Sequence, residues 1–120
     1  MPILENLNRV ELQGRVGHDA RISAVGDSHV ARFSLVTNEF YRTKGGEERT
    51  EATWHSITVW ESPRVAAFDT IKKRVAVHLK GRLRCNKYTD AQGCERSFIE
   101  VLAFELKVID ESAGENPENL

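Results

Sequence analysis

A chain of 120 residues, 40% hydrophobic and 29% charged, suffices for one soluble domain with a modest core. No apolar run approaches the ~18 residues of a membrane span, and the amino end has no basic region followed by an apolar one, so no membrane partner and a cytoplasmic location are expected. The net charge of −1 hides an asymmetry, because residues 1–107 hold every Lys and Arg and carry +3, while the remainder carries −4.

Arg9 to Val16 alternates, with Val10, Leu12 and Val16 on one side and Arg9, Glu11, Gln13 and Arg15 on the other, and predicts a half-buried strand. Gly14 and Gly17 near its end predict a bend or bulge that lets a sheet curl toward closure. After the turn signal Gly26-Asp27-Ser28, His29 to Thr37 predicts a second strand, with Ala31, Phe33 and Leu35 inward. Asn38 to Thr53 is polar with Gly45-Gly46 at its centre. It reads as a long loop carrying Phe40, Tyr41, Arg42, Lys44 and Arg49, a mixture of rings and cations suited to a binding role.

The third strand, Trp54 to Trp60, puts Trp54, Ser56, Thr58 and Trp60 on one face and His55, Ile57 and Val59 on the other. Two indoles about 20 Å apart on a face otherwise made of hydroxyls do not resemble a core. They suit flat, sequence-varied ligands such as nucleic-acid bases; the alternative is an edge or a subunit contact. On the apolar side, His55 is expected to be a satisfied structural histidine or a subunit contact.

Ser62-Pro63 followed by Val65, Phe68 and Ile71 predicts one short helix running to Arg74. A long fourth strand follows. Its apolar side is Val75, Val77, Leu79, Leu83 and Cys85, and its other side is His78, Lys80, Arg82, Arg84, Asn86 and Tyr88, a basic face ending in a ring that is either functional or merely solvated. Cys85 is expected in the core, and Cys85 and Cys94, with no nearby His pair, are read as reduced structural thiols and not a zinc site. Asp90-Ala91-Gln92-Gly93 predicts a hairpin, and Phe98 to Val108 a fifth strand, apolar on both faces because it is covered twice or bulged. From Ser112 onward the composition predicts a disordered acidic tail.

A mainly all-β chain of five strands, with one short helix between the third and fourth, matches the five-stranded OB-fold barrel, a binder of oligonucleotides or oligosaccharides. The expected organisation is an OB domain over 1–109 and an acidic tail over 110–120. At Thr53-Trp54-His55, at Phe-Ser-Leu-Val-Thr-Asn-Glu-Phe-Tyr-Arg-Thr-Lys before it, and at Leu-Lys-Gly-Arg-Leu-Arg-Cys-Asn-Lys-Tyr-Thr-Asp after it, the chain resembles the bacterial single-stranded DNA-binding protein family, from about Leu7 to Val108.

The resemblance implies base stacking on Tyr41, Trp54, Trp60 and Tyr88, with cations at Lys44, Lys73 and Lys87 beside them. Tyr41 and Tyr88 stand where family members usually have Trp, and Phe40 is the substitute for Tyr41 if the register slips by one. Together with the basic face, the expected DNA-binding set is Phe40, Tyr41, Lys44, Trp54, Trp60, Lys73, Arg82, Arg84, Lys87 and Tyr88. The resemblance further implies single-stranded DNA as partner, a homo-oligomer with a tetramer expected, contacts with replication or repair proteins, and no cofactor.

The family's acidic tip ends in Ile-Pro-Phe, whereas this sequence ends Glu-Asn-Pro-Glu-Asn-Leu. A different reading is an accessory OB module similar to primosomal replication protein N, acting mainly through protein contacts. Catalysis is not expected, because the four histidines are scattered and neither a nucleophile–base motif nor an acidic cluster is present.

Overall fold

The structure, a computed structural model, describes residues 5–110. It has six strands: β1 (Val10–Val16), β2 (Arg21–Val25), β3 (Ser28–Arg42), β4 (Glu48–Trp60), β5 (Ala76–Thr89) and β6 (Glu95–Asp110). The sheet order is β1-β5-β6-β4-β3-β2, and a further β1–β3 pairing closes five of the strands into a barrel. β4 and β6 run parallel over Ile57–Val59 and Val101–Ala103, the other pairings being antiparallel. This is the OB-type topology expected from the strand pattern.

The alternation of apolar residues explains the barrel interior. Val16, Ala31, Phe33, Leu35, Ile57, Val59, Val77, Leu79, Val101, Ala103 and Leu106 form one buried cluster. Removing each larger side chain from water contributes about 1.5–3 kcal/mol, which offsets the entropy of ordering the strands.

Closure depends on two glycines. At Gly14 a Cβ would run into the Val36 carbonyl, just where β1 leaves β5 for β3 and Arg15 pairs with both Ala76 and Val36. At Gly81 it would run into the backbone of Leu102 and Ala103. There the register steps from Lys80↔Glu105 to Gly81↔Ala103, which leaves Phe104 as the extra residue of a bulge. The bulge shifts the inward parity of β6 from Val101 and Ala103 to Leu106.

Four expectations are corrected. The helix expected over 62–74 is a single 3₁₀ turn, Phe68–Thr70. Its spacing was informative nonetheless, since Ile71 is buried and Val65 and Phe68 pack on the core. Only isolated turns bond along the connection, as from Ile71 N–H to Phe68, and the rest reaches outward: Ala66 N–H donates to the Leu106 carbonyl, Leu106 N–H to Arg64, Ala20 N–H to Ile71 and Arg74 N–H to Val16. Arg74 adopts a positive φ of 74° at the end of this connection.

The loop expected from Asn38 to Thr53 is mostly a two-stranded ribbon. β3 and β4 stay paired from Asn38↔Ala52 out to Arg42↔Glu48, and only Thr43–Glu47 turns, with Gly46 at φ 85°. Ladder hydrogen bonds and the Arg42–Glu48 ion pair at 3.1 Å hold it, so no apolar alternation is required.

β2 is a further strand, all five of its residues exposed and paired to β3 through the turn at Gly26. Finally, β5 outruns the barrel, so Leu83 is 48% exposed and Cys85 is exposed, as is Cys94, and neither thiol is a core residue. The acidic tail lies, from residue 111, outside the described residues.

Candidate nucleic-acid interface

β4 carries the two indoles on the outside of the barrel. Trp54 is 62% exposed and Trp60 37%. Cross-strand register places Val36 beside Trp54 and Thr50 beside Phe40, so Phe40 shares the Trp54 face while Tyr41, paired with Arg49, lies on the opposite side of the ribbon. Both rings are exposed. Phe40, and not Tyr41, is thus the ring of the ribbon on the Trp54 face.

Trp54 rests on β1. A methyl placed at Gly17 would stand 2.5 Å from Trp54 Cζ3 and 2.5 Å from Ser34 Oγ, so the glycine is the floor on which the ring lies. The neighbouring Val16 carbonyl accepts from Arg74 N–H, which brings Lys72, Lys73 and Arg74 to the rim of this floor; the Lys73 amide is fixed by Asp19 Oδ1 at 2.9 Å.

The second part of the face is the β5–β6 hairpin. Arg82, Arg84, Asn86 and Tyr88 lie on its outer side with Glu100, Phe98 and Arg96 as cross-strand partners of the last three. Tyr88 and Phe98 meet edge to face at 6.0 Å between ring centroids. Lys87 lies on the reverse side opposite Ser97. The hairpin turn is held by Asp90, whose carboxylate accepts from the Gln92 and Cys94 amides and from Arg96 Nε. The Arg96 bond is the main reason its pKa lies below the usual value.

Between the two parts sits Glu100, only 4% exposed. Its Oε2 accepts from Thr58 Oγ1 at 2.7 Å, and its Oε1 from Arg84 Nε at 3.0 Å, Arg84 Nη2 at 2.7 Å and Asn86 Nδ2 at 2.6 Å. Burial pushes this carboxyl up, but the bonds from Thr58, Arg84 and Asn86 and the charge of Arg84 outweigh it and hold the pKa below its usual 4.5. Thr58 is consequently buried, unlike the rest of its strand face. Below this node β4 and β6 diverge, leaving a cleft of about 230 Å³ lined by Trp54, Ser56, Leu83, Ile99, Glu100 and Val101 among others.

The expected set is thus only partly gathered. Phe40, Trp54 and Trp60 follow one strand face, Tyr88 and Arg84 stand on the adjoining hairpin, and Lys44 lies in the ribbon turn. Among the described residues Lys44, Lys73, Arg82 and Lys87 form no ion pair, whereas Arg84 does. His55 is half-buried and satisfied by Thr37 Oγ1 at 3.0 Å. Phe98, Glu100 and Gly17 were missed; the parity of Phe98 and Glu100 with Tyr88 across a hairpin was the available signal for the first two. No group of His, Cys, Asp or Glu among the described residues could hold a metal ion.

A closed five-strand barrel with exposed rings along one outer face defines an OB-type module for unpaired nucleic acid. Comparison with known proteins is more specific. The chain belongs to the single-strand binding protein family, whose profile matches residues 7–109. It is 31% identical to a single-stranded DNA-binding protein of Neisseria meningitidis, over 93% of this chain and 67% of that one. It is 32% identical to a mitochondrial single-stranded DNA-binding protein of Rattus norvegicus, over 95% and 81%. The structure of a Plasmodium falciparum SSB complex with ssDNA superposes with a TM-score of 0.75 at 31% identity, covering 91% of this chain and 100% of that chain.

Proposed function

We propose that this chain binds single-stranded DNA without regard to sequence and so protects it during replication, recombination and repair. The observation that carries the reading is the pair of exposed indoles on β4, with the Tyr88–Phe98 pair on the hairpin, on a barrel of the family just described. Bases stack on rings at about 1–3 kcal/mol each, and every base has a face to offer. Phe40, Trp54, Trp60 and Tyr88 supply the rings of this face and Tyr41 one on the reverse of the ribbon, while Lys44, Lys73 and Arg82 track phosphates, with Lys87 serving the reverse of the hairpin. No helix among the described residues is long and apolar enough to cross a membrane, and the proposed site of action is the cytoplasm, at the nucleoid. The chain acts by binding and not by catalysis.

The same reading includes a homo-oligomer, with a tetramer favoured. Leu83 and Ile99, at 48% and 61% exposure, form an apolar flank of the hairpin that a second copy would cover.

The test is a fluorescence titration with oligo-dT and with duplex of equal length. Trp54→Ala and Trp60→Ala should each weaken single-strand binding by about 1–3 kcal/mol with an unchanged melt. Equal affinity for duplex, or binding that vanishes by moderate salt, would replace stacking by a nonspecific basic surface. Full binding by the ring variants would point to a module acting through protein contacts.

A further inference from the structure

We infer that Arg84 serves the bound strand as a flat stacking plane and not as a phosphate cation, and that Glu100 is the positioning residue that makes it so. The inference rests on the single-strand binding proposed above and assigns Arg84 a different task from the free cations.

Two of the guanidinium's nitrogens, Nε and Nη2, are committed to one oxygen of a carboxylate that is 4% exposed. A pair of this kind is close to neutral when seen from outside, and drawing the arginine toward a phosphate would strand a buried negative charge. The side chain is nevertheless 41% exposed on the outer side of the hairpin, where a base can approach it. Its orientation is fixed from several sides at once, since Glu100 is itself held by Thr58 on β4 and by Asn86 on β5.

The plane also lies where a strand would use it. Arg84 stands four residues before Tyr88 on the same side of β5, about 13 Å along the strand. Through Glu100 it is tied to Thr58, between Trp54 and Trp60 on β4. Guanidinium planes stack on π systems, and a lysine ammonium in the same place carries the charge without the plane. Lys44, Lys73, Arg82 and Lys87, which form no ion pair among the described residues, differ in this respect: they set the salt dependence.

The test measures oligo-dT affinity across a salt series for the wild-type chain, Arg84→Lys and Glu100→Gln, with thermal melts confirming folding. Arg84→Lys should weaken binding about three- to tenfold by the same factor at every salt concentration. Glu100→Gln keeps the shape but releases the guanidinium charge, so the dependence of log K on log salt should steepen by about 0.7, one further phosphate. Unchanged binding by Arg84→Lys would overturn the inference even if Glu100→Gln proved unable to fold. An unchanged slope in folded Glu100→Gln would do the same, because Arg84 would then already hold a phosphate. Trp54→Ala separates the two levels: if the wild type fails to bind, or binds independently of Trp54, the proposed function falls first.

Discussion

Gly17 lies directly beneath the indole of Trp54, close enough that a single methyl group at this glycine would overlap the ring at Cζ3. The obstacle is the end of an exposed side chain and a hydroxyl, both able to move. Gly17→Ala should therefore cost little stability and should tilt Trp54 off its floor. The expected result is a melt within a few degrees of wild type, with single-strand affinity reduced by about 1–2 kcal/mol, approaching the loss from removing the ring. Full affinity with an unchanged indole emission spectrum would show that the ring does not depend on this floor.

Phe98 is expected to support Tyr88. Edge-to-face aromatic pairs contribute about 0.5–1.5 kcal/mol beyond the area they bury, so Phe98→Ala should free the Tyr88 ring and lower affinity by a similar amount. A double variant with Tyr88→Ala checks this in a cycle. Strict additivity would mean that the two rings act independently.

The Glu100 node should make the fold acid-sensitive. A carboxyl whose folded pKa is depressed contributes stability that is present above its unfolded value and is lost as pH falls through the folded one. With 4.5 as the usual value and the folded one lower, the loss begins below about pH 4.5. Thermal melts at pH 6 and pH 3 should show a larger drop for the wild type than for Glu100→Gln. Parallel curves would remove the node from the account of stability.

The apolar flank of the hairpin should control assembly. Leu83→Ser with Ile99→Ser exchanges two exposed apolar side chains for polar ones, leaving the barrel core untouched. Light scattering should report a smaller species than the wild-type chain gives at the same micromolar concentration. An identical mass would place the interface elsewhere.

Much of the barrel was legible because a buried face must be apolar at a fixed period. Val10 to Val16, Ala31 to Leu35 and Val75 to Leu79 announced their strands, and the predicted turns at Gly26 and Gly93 have positive φ. β2 and the distal ribbon were not legible, for they bury nothing; their stability comes from backbone ladders, which any side-chain sequence can make. The 62–74 connection misled for a related reason, because its apolar spacing is real but the amides of Ala66 and Arg74 bond to β6 and β1 and others close only isolated turns.

In the site, the rings and cations were visible one by one. The Glu100 node was hidden because Thr58, Arg84 and Glu100 come from three separate strands and meet only through register.

The continuous pairing of β3 and β4 out to Arg42↔Glu48 has a kinetic consequence. Rings mounted on a hydrogen-bonded ladder are already in place before any ligand arrives, so capture need not wait for a segment of protein to order itself. The entropy lost on association then belongs almost wholly to the nucleic acid, and the rate should be set by encounter and charge. Stopped-flow traces should accelerate linearly with ligand concentration, with no plateau from a slow protein isomerisation, and amides 38–42 should resist hydrogen exchange equally with and without DNA.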